Sequence, residues 1–118
     1  MMELVNEIKI AMELEVRTAP DSDMFFEAVF QAKDLEKLLP LLQKHMGKPL
    51  KPPGKNVRLP MDTAKIVDLM SGLRREQSFY MKKEEGGKYA CAALWPWQSD
   101  PSKITLKIRT GDLDRNEG

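Results

Sequence analysis

Between residues 77 and 110 the chain twice leaves a strand-like segment, passes a short cluster of turn residues and enters another such segment. EEGG separates 77–84 from 89–97, and QSDPS separates 89–97 from 103–110. A parallel connection needs about a dozen residues or more, so joins this short force three successive strands to pair antiparallel. The rest of the chain has to cover the two faces of that meander.

The middle segment and its exit, YACAALWPWQSD (89–100), carry both tryptophans, one of the two tyrosines and the only cysteine. Strand alternation puts Tyr89, Cys91, Ala93, Trp95 and Trp97 on one side, and Ala90, Ala92, Leu94 and Pro96 on the other. The partner strands choose between the sides, because residues directly opposite each other point the same way. With Gly86-Gly87 as a two-residue turn, Met81 opposes Ala92 and Phe79 opposes Leu94. With 98–102 as a five-residue loop, Trp97 opposes Lys103, Trp95 opposes Thr105, Leu94 meets Leu106 and Ala92 meets Ile108. The core face then holds Phe79, Met81, Ala92, Leu94, Ile104, Leu106 and Ile108. The outer face holds Tyr80, Lys82, Tyr89, Cys91, Trp95, Trp97, Lys103, Thr105, Lys107 and Arg109. A three-residue loop at EEGG, or a four-residue loop at QSDPS, would reverse one hairpin.

Upstream, Ile8, Ile10, Met12, Leu14 and Val16 alternate with polar residues, which predicts a half-buried strand over 8–17. TAPDSD (18–23) is turn chemistry. MFFEAVFQA (24–32) predicts a second strand paired with the first, with Phe26, Ala28 and Phe30 on one side; a helix is the alternative. Leu35, Leu38, Leu39, Leu42 and Met46 make a helical stripe that opens at Asp34 and ends at Gly47. Pro40 is expected to kink that helix or divide it. Four prolines and a glycine make 48–60 an extended basic connector, either a solvated linker or a ligand-like arm. A last helix follows, with Asp62 as cap, Met61 and Ile66 at staple spacing, and Arg74 and Arg75 complementing its C-terminal dipole.

The expectation is one α+β domain over 1–110, with 111–118 as a polar, frayed tail. Its order along the chain is ββααβββ, a two-layer arrangement with two helices on one face of a mainly antiparallel sheet of about five strands.

Nineteen basic and eighteen acidic residues leave a net charge of +1. Binding driven by whole-molecule charge, to nucleic acid or an anionic membrane, is not indicated. A single cysteine cannot close an internal disulfide, which suits a reducing compartment and a cytoplasmic location. With one cysteine and one histidine no metal site is expected, and no cofactor either. No apolar run reaches the roughly 20 residues that span a bilayer.

No catalytic residue is assigned. His45 reads as a cation at a helix C-terminus, Ser71 and Ser78 lie in no nucleophile-elbow pattern, and Cys91 has no helix N-terminus to activate it. The function expected is a non-enzymatic binding or assembly module. Its site is an aromatic sheet face: Tyr80, Lys82, Tyr89, Trp95, Trp97, Lys103, Lys107 and Arg109. Its partner would be a second copy in a homodimer or another protein. Both tryptophans should lie away from the helices with at least one of them covered, by a second subunit or by the 48–60 connector. Single-stranded nucleic acid or a small ligand on that face is an alternative. So is an enzyme with a carboxylate site between helices and sheet.

Overall fold

The computed structural model describes residues 2–18, 25–54, 58–59, 61–69 and 77–112. In chain order the elements are α1 (Met2–Ala11), β1 (Glu15–Val16), β2 (Phe25–Gln31), α2 (Leu35–Met46), α3 (Met61–Leu69), β3 (Ser78–Lys83), β4 (Lys88–Pro96) and β5 (Lys103–Asp112). The strands form one sheet in the order β1-β2-β5-β4-β3, every pair antiparallel. This is the antiparallel α+β fold that the sequence predicts.

Two hydrophobic clusters lie on opposite faces of the sheet. On one, Leu4, Val5 and Ile8 of α1 and Leu38, Leu42 and Met46 of α2 pack on Phe26, Ala28, Phe30, Ala92, Leu94, Ile104, Leu106 and Ile108. Ala90 and Ala92 are small, which lets the helices approach the middle of the sheet. On the other face, Ile66 and Val67 of α3 pack on Phe79, Met81, Tyr89, Cys91 and Ala93, with Leu59 and Trp95 at the margin. The two-helix layer therefore consists of α1 and α2, while the described contacts of α3 lie at the β3–β4 end of the opposite face.

The largest correction concerns 8–17. Residues 2–11 are helical, and only Glu15–Val16 joins the sheet. Leu4, Val5, Ile8 and Met12 are buried at helical spacing, while Ile10 is 87% exposed. The period-two pattern over 8–16 lost to a period near 3.6 that starts earlier, at Leu4.

The β4–β5 hairpin has the predicted register, Trp95 opposite Thr105 and Leu94 opposite Leu106. Its loop is closed by Trp97 N–H donating to the Lys103 carbonyl at 3.0 Å. The Asp100 carboxylate accepts from the Ser102 amide and hydroxyl within it, and those bonds hold its pKa below the usual range. The β3–β4 hairpin is one residue out of the predicted register. Its loop is the three-residue turn Glu85–Gly87, closed by Glu84 N–H donating to the Lys88 carbonyl at 2.7 Å. Gly86 and Gly87 both have positive φ, 76° and 75°, which glycine adopts without a Cβ penalty. Met81 therefore opposes Cys91 and Tyr80 opposes Ala92. Phe79 and Met81 leave the α1–α2 face for the α3 face, and Tyr80 and Lys82 make the reverse exchange.

α2 runs unbroken through Pro40, so the predicted division does not occur. Asp34 stands at its N-cap without a capping hydrogen bond; a 3-10 turn over Ala32–Asp34 precedes it, and the carboxylate pairs with Lys37 at 3.5 Å. Gly47 ends the helix at φ 79°, as expected. Met61 is 78% exposed and belongs to α3, so it makes no staple on Ile66. The connector is not wholly solvated. Lys51 pairs with Phe79 along the outer edge of β3, and its buried ammonium donates to the Gln77 carbonyl. β5 continues through Asp112, past the predicted end at 110. The turn over 19–23, Arg74, Arg75, Ser71 and the tail from 113 lie outside the described residues.

α1 is tied to α2 by ions as well as by packing. Glu7 accepts from Lys44 at 2.7 Å and pairs with the His45 ring. His45, in the last turn of α2, thus has a specific carboxylate partner besides the helix dipole. The Lys44 bond, then that of His45, lowers the Glu7 pKa from 4.5. A depressed carboxyl stabilises the fold above its ordinary pKa, and that contribution disappears as pH falls through the lower folded value. Hydrogen exchange should show α1 losing protection as pH falls below the ordinary carboxyl value of 4.5. Glu7→Gln should lose less of it over the same range; equal losses would sink this account.

Candidate functional site

Period two along each strand fixes which residues share the α3 face. Beyond the residues that pack with α3, the same face continues over β1, β2, β5 and the Trp95–Trp97 end of β4 as a strip of half-buried and exposed side chains around the buried Val29. Its cross-strand rows follow from the pairing. Gln31, Lys103 and Trp97 make one row; Glu15, Val29, Thr105 and Trp95 make the next. Arg17, Glu27, Lys107 and Ala93 form the third, and Phe25, Arg109 and Cys91 the fourth.

Trp95 and Trp97 are both partly exposed here, on the face away from α1 and α2; the prediction that the face carries no helix is corrected, because α3 lies on it and Trp95 packs against the α3 cluster. Cations of the same chain lie against them. Lys107 Nζ stands 3.6 Å from the centre of the Trp95 ring. Lys103 Nζ is 5.1 Å and the Arg17 guanidinium 5.8 Å from the Trp97 ring. Such contacts are worth about 0.5–2 kcal/mol, depending on desolvation. Arg17 follows β1, its amide bonded to the Glu27 carbonyl of β2, so to reach Trp97 its side chain crosses β2 and β5. The Trp97 Nε1 donates to Thr105 Oγ1 at 2.8 Å. The side chains seen over the rings are these three cations, not the second subunit or connector expected from the sequence; Leu59 of the connector and Trp95 both pack against the α3-face cluster. Trp95 Nε1 and Arg109 Nε are buried donors that find no acceptor among the described residues, and both belong to this strip.

Of the residues predicted to line the face, Trp95, Trp97, Lys103, Lys107 and Arg109 come together. Tyr89 shares the face but is buried under α3, its ring lying over Gly111, where an added Cβ would meet it at 2.9 Å. Tyr80 and Lys82 are on the opposite face. Tyr80 is buried in the α1–α2 cluster, where desolvation raises its pKa, and Lys82 is exposed near the sheet edge. Sequence reasoning missed Arg17, Glu15 and Glu27. Glu27 was legible, since it alternates with Phe26 and Ala28 in a segment read as a strand. Arg17 and Glu15 were not, because only two residues of the predicted first strand pair.

Cys91 is fully buried, and desolvation pushes its thiol up to about 12. It is protonated at neutral pH and is not a nucleophile there. A cleft of about 770 Å³ opens between α1, the β1–β2 edge and α2, lined by Lys9, Glu13, Glu15, Asp34 and Lys37 among others. Its Asp34 carboxylate is engaged by Lys37. A smaller recess of about 500 Å³ lies beside Trp95 and Trp97, reaching Gln77, Gln98 and Thr105. Among the described residues no group of three His, Cys, Asp or Glu is placed to hold a metal ion, and no helix is long and apolar enough to cross a membrane. No protein-family model, curated protein or solved structure matches this chain.

Proposed function

We propose that the chain is a non-enzymatic binding or assembly module, and that the strip around Trp95 and Trp97 holds another protein, as a homodimer or with a different chain. One observation carries this reading. Two partly exposed tryptophans share a sheet surface with Lys103, Lys107, Arg109 and Arg17, and among the described residues Lys107 and Lys103 lie against indole rings rather than in an ion pair. Tryptophan and arginine are the side chains that most often dominate binding energy at protein interfaces. Cations held over rings are also positioned to meet carboxylates from a partner. The lone buried thiol suits a reducing, cytoplasmic setting.

In-cell photo-crosslinking tests the reading. A photoactivatable phenylalanine replacing Lys103, which is exposed at the strip, should give a protein adduct. The same group replacing Lys48, exposed on the connector, should give little. Equal adducts from both positions, none from Lys103, or an adduct only to nucleic acid would overturn the proposal. Adduct mass separates a second copy from a different protein.

A further inference from the structure

We propose that residues 49–53 form a guard strap that closes the outer edge of β3 against pairing with another chain, and that Lys51 is the clasp that holds the strap there. β3 is the edge of the sheet opposite β1, outside the strip around Trp95 and Trp97.

The edge needs a guard for reasons visible in its own residues. β3 is six residues long, and its first four, Ser78 to Met81, are uncharged and buried. Its register on β4, with Glu84 N–H on the Lys88 carbonyl, turns the amides of Ser78, Tyr80 and Lys82 toward β4. The amides of Phe79, Met81 and Lys83 therefore point away from the sheet. An apolar edge of this kind is a template for a further strand. A net charge of +1 puts little repulsion between copies of the chain.

The strap meets this edge at one residue. Phe79 N–H donates to the Lys51 carbonyl at 3.0 Å, and the Phe79 carbonyl accepts from Leu50 at 2.9 Å and Lys51 at 3.3 Å. Continued in that register, Pro49 falls beside Met81 and Pro53 beside Gln77. Neither has an N–H to donate, so the ladder stops after a single bridge. The side chain of Lys51 supplies the donor that Pro53 lacks. It is buried, and its ammonium donates to the Gln77 carbonyl and, at 3.4 Å, to that of Pro52. A buried ammonium is tolerated only where acceptors meet it, so these carbonyls fix the stem against the edge.

The same composition keeps the strap from becoming a new edge. Within 49–53 only Leu50 and Lys51 carry an amide hydrogen, and both donate inward to Phe79. Pro52, whose position faces away from β3, has none. A further chain meets no amide donor along these five residues. A regular sixth strand would pair with β3 over more residues but would present a fresh row of donors beyond it. The prolines that mark this segment as a linker in the sequence are what make it a terminator of the sheet.

Removing the clasp tests the strap. Lys51→Met keeps most of the stem and deletes the ammonium. Exchange of the Phe79 amide should speed up by about tenfold or more, while that of Leu106 in the sheet centre stays near its wild-type rate. Sedimentation velocity from about 1 to about 200 µM, with wild type as reference at each concentration, should show larger species for the variant. Adding Met81→Pro, which removes an outward amide and leaves the β4 ladder intact, should return the distribution to that of wild type. Lys83→Pro makes the same test with an exposed side chain and decides it if circular dichroism shows the Met81→Pro chain unfolded. Unchanged Phe79 exchange, equal acceleration of Phe79 and Leu106, association no stronger than that of wild type, or extra association that survives the proline would each overturn the strap.

Discussion

Phe79→Ala is expected to lower stability by about 3–5 kcal/mol. Phe79 has no exposed surface and is the largest fully buried side chain among the described residues. It anchors the α3-face cluster, packed with Ile66, Val67, Met81, Cys91 and Ala93. Its backbone also pairs with Lys51, so the cavity opens where α3, the connector and β3 meet. A domain of this size holds about 5–15 kcal/mol in total. The truncation should therefore shift the urea midpoint by about 1–3 M and the Tm by roughly 10–20 °C. The location of the damage is the sharper test. α3 should lose amide protection well before α1 does. If α1 and α2 loosen first, Phe79 faces the other way and the observed β3–β4 register is wrong.

The second large effect is a contrast between two isoleucines. Ile8→Ala is expected to cost about 2–5 kcal/mol, and Ile10→Ala about 0.5 kcal/mol or less. As strand residues two apart they would share a face and cost alike. On α1 they lie about 200° apart around the axis. Ile8 accordingly enters the core with no exposed surface, while Ile10 is 87% exposed. Chemical denaturation of the two variants decides it. Equal losses would remove α1 from the fold.

What the sequence conveyed tracks how local the deciding interactions are. The β4–β5 register was legible because a five-residue loop and the Ile104, Leu106, Ile108 alternation agree. β2 was legible from Phe26, Ala28 and Phe30, which do share the helix face. The β3–β4 register was not, since a two-residue turn and a three-residue turn both accept Gly86-Gly87, and one extra residue moves every side chain of β3 to the other face. α1 was hidden by coincidence. Leu4, Val5, Ile8 and Met12 carry a helical period, but Ile10, Leu14 and Val16 complete an alternating pattern around them, and only tertiary burial says which subset counts. Of the site, the tryptophans and the β5 cations came from the sound hairpin, and Tyr80 and Lys82 were lost with the other one. The placement of α3 on the opposite face from α2 follows from the reversal of Phe79 and Met81, so it could not be read before that register was known.

The pairing of β2 with β5 also governs how the chain reaches this sheet. β3, β4 and β5 are joined by short loops and can zip from neighbour to neighbour. β2 reaches β5 only by closing the whole span from Gln31 to Lys103. For a loop of about 70 residues that closure costs about 4 kcal/mol of chain entropy before the constant term. The seam between β2 and β5, which joins the meander to α1 and β1, is therefore the slowest part of the sheet to assemble. Until it closes, the hydrophobic side of β5 is bare, and the surface proposed to hold a partner lacks Glu15, Arg17 and Glu27. Association through the strip is thus a property of the completed fold and arises after the longest-range strand pairing in the sheet has formed.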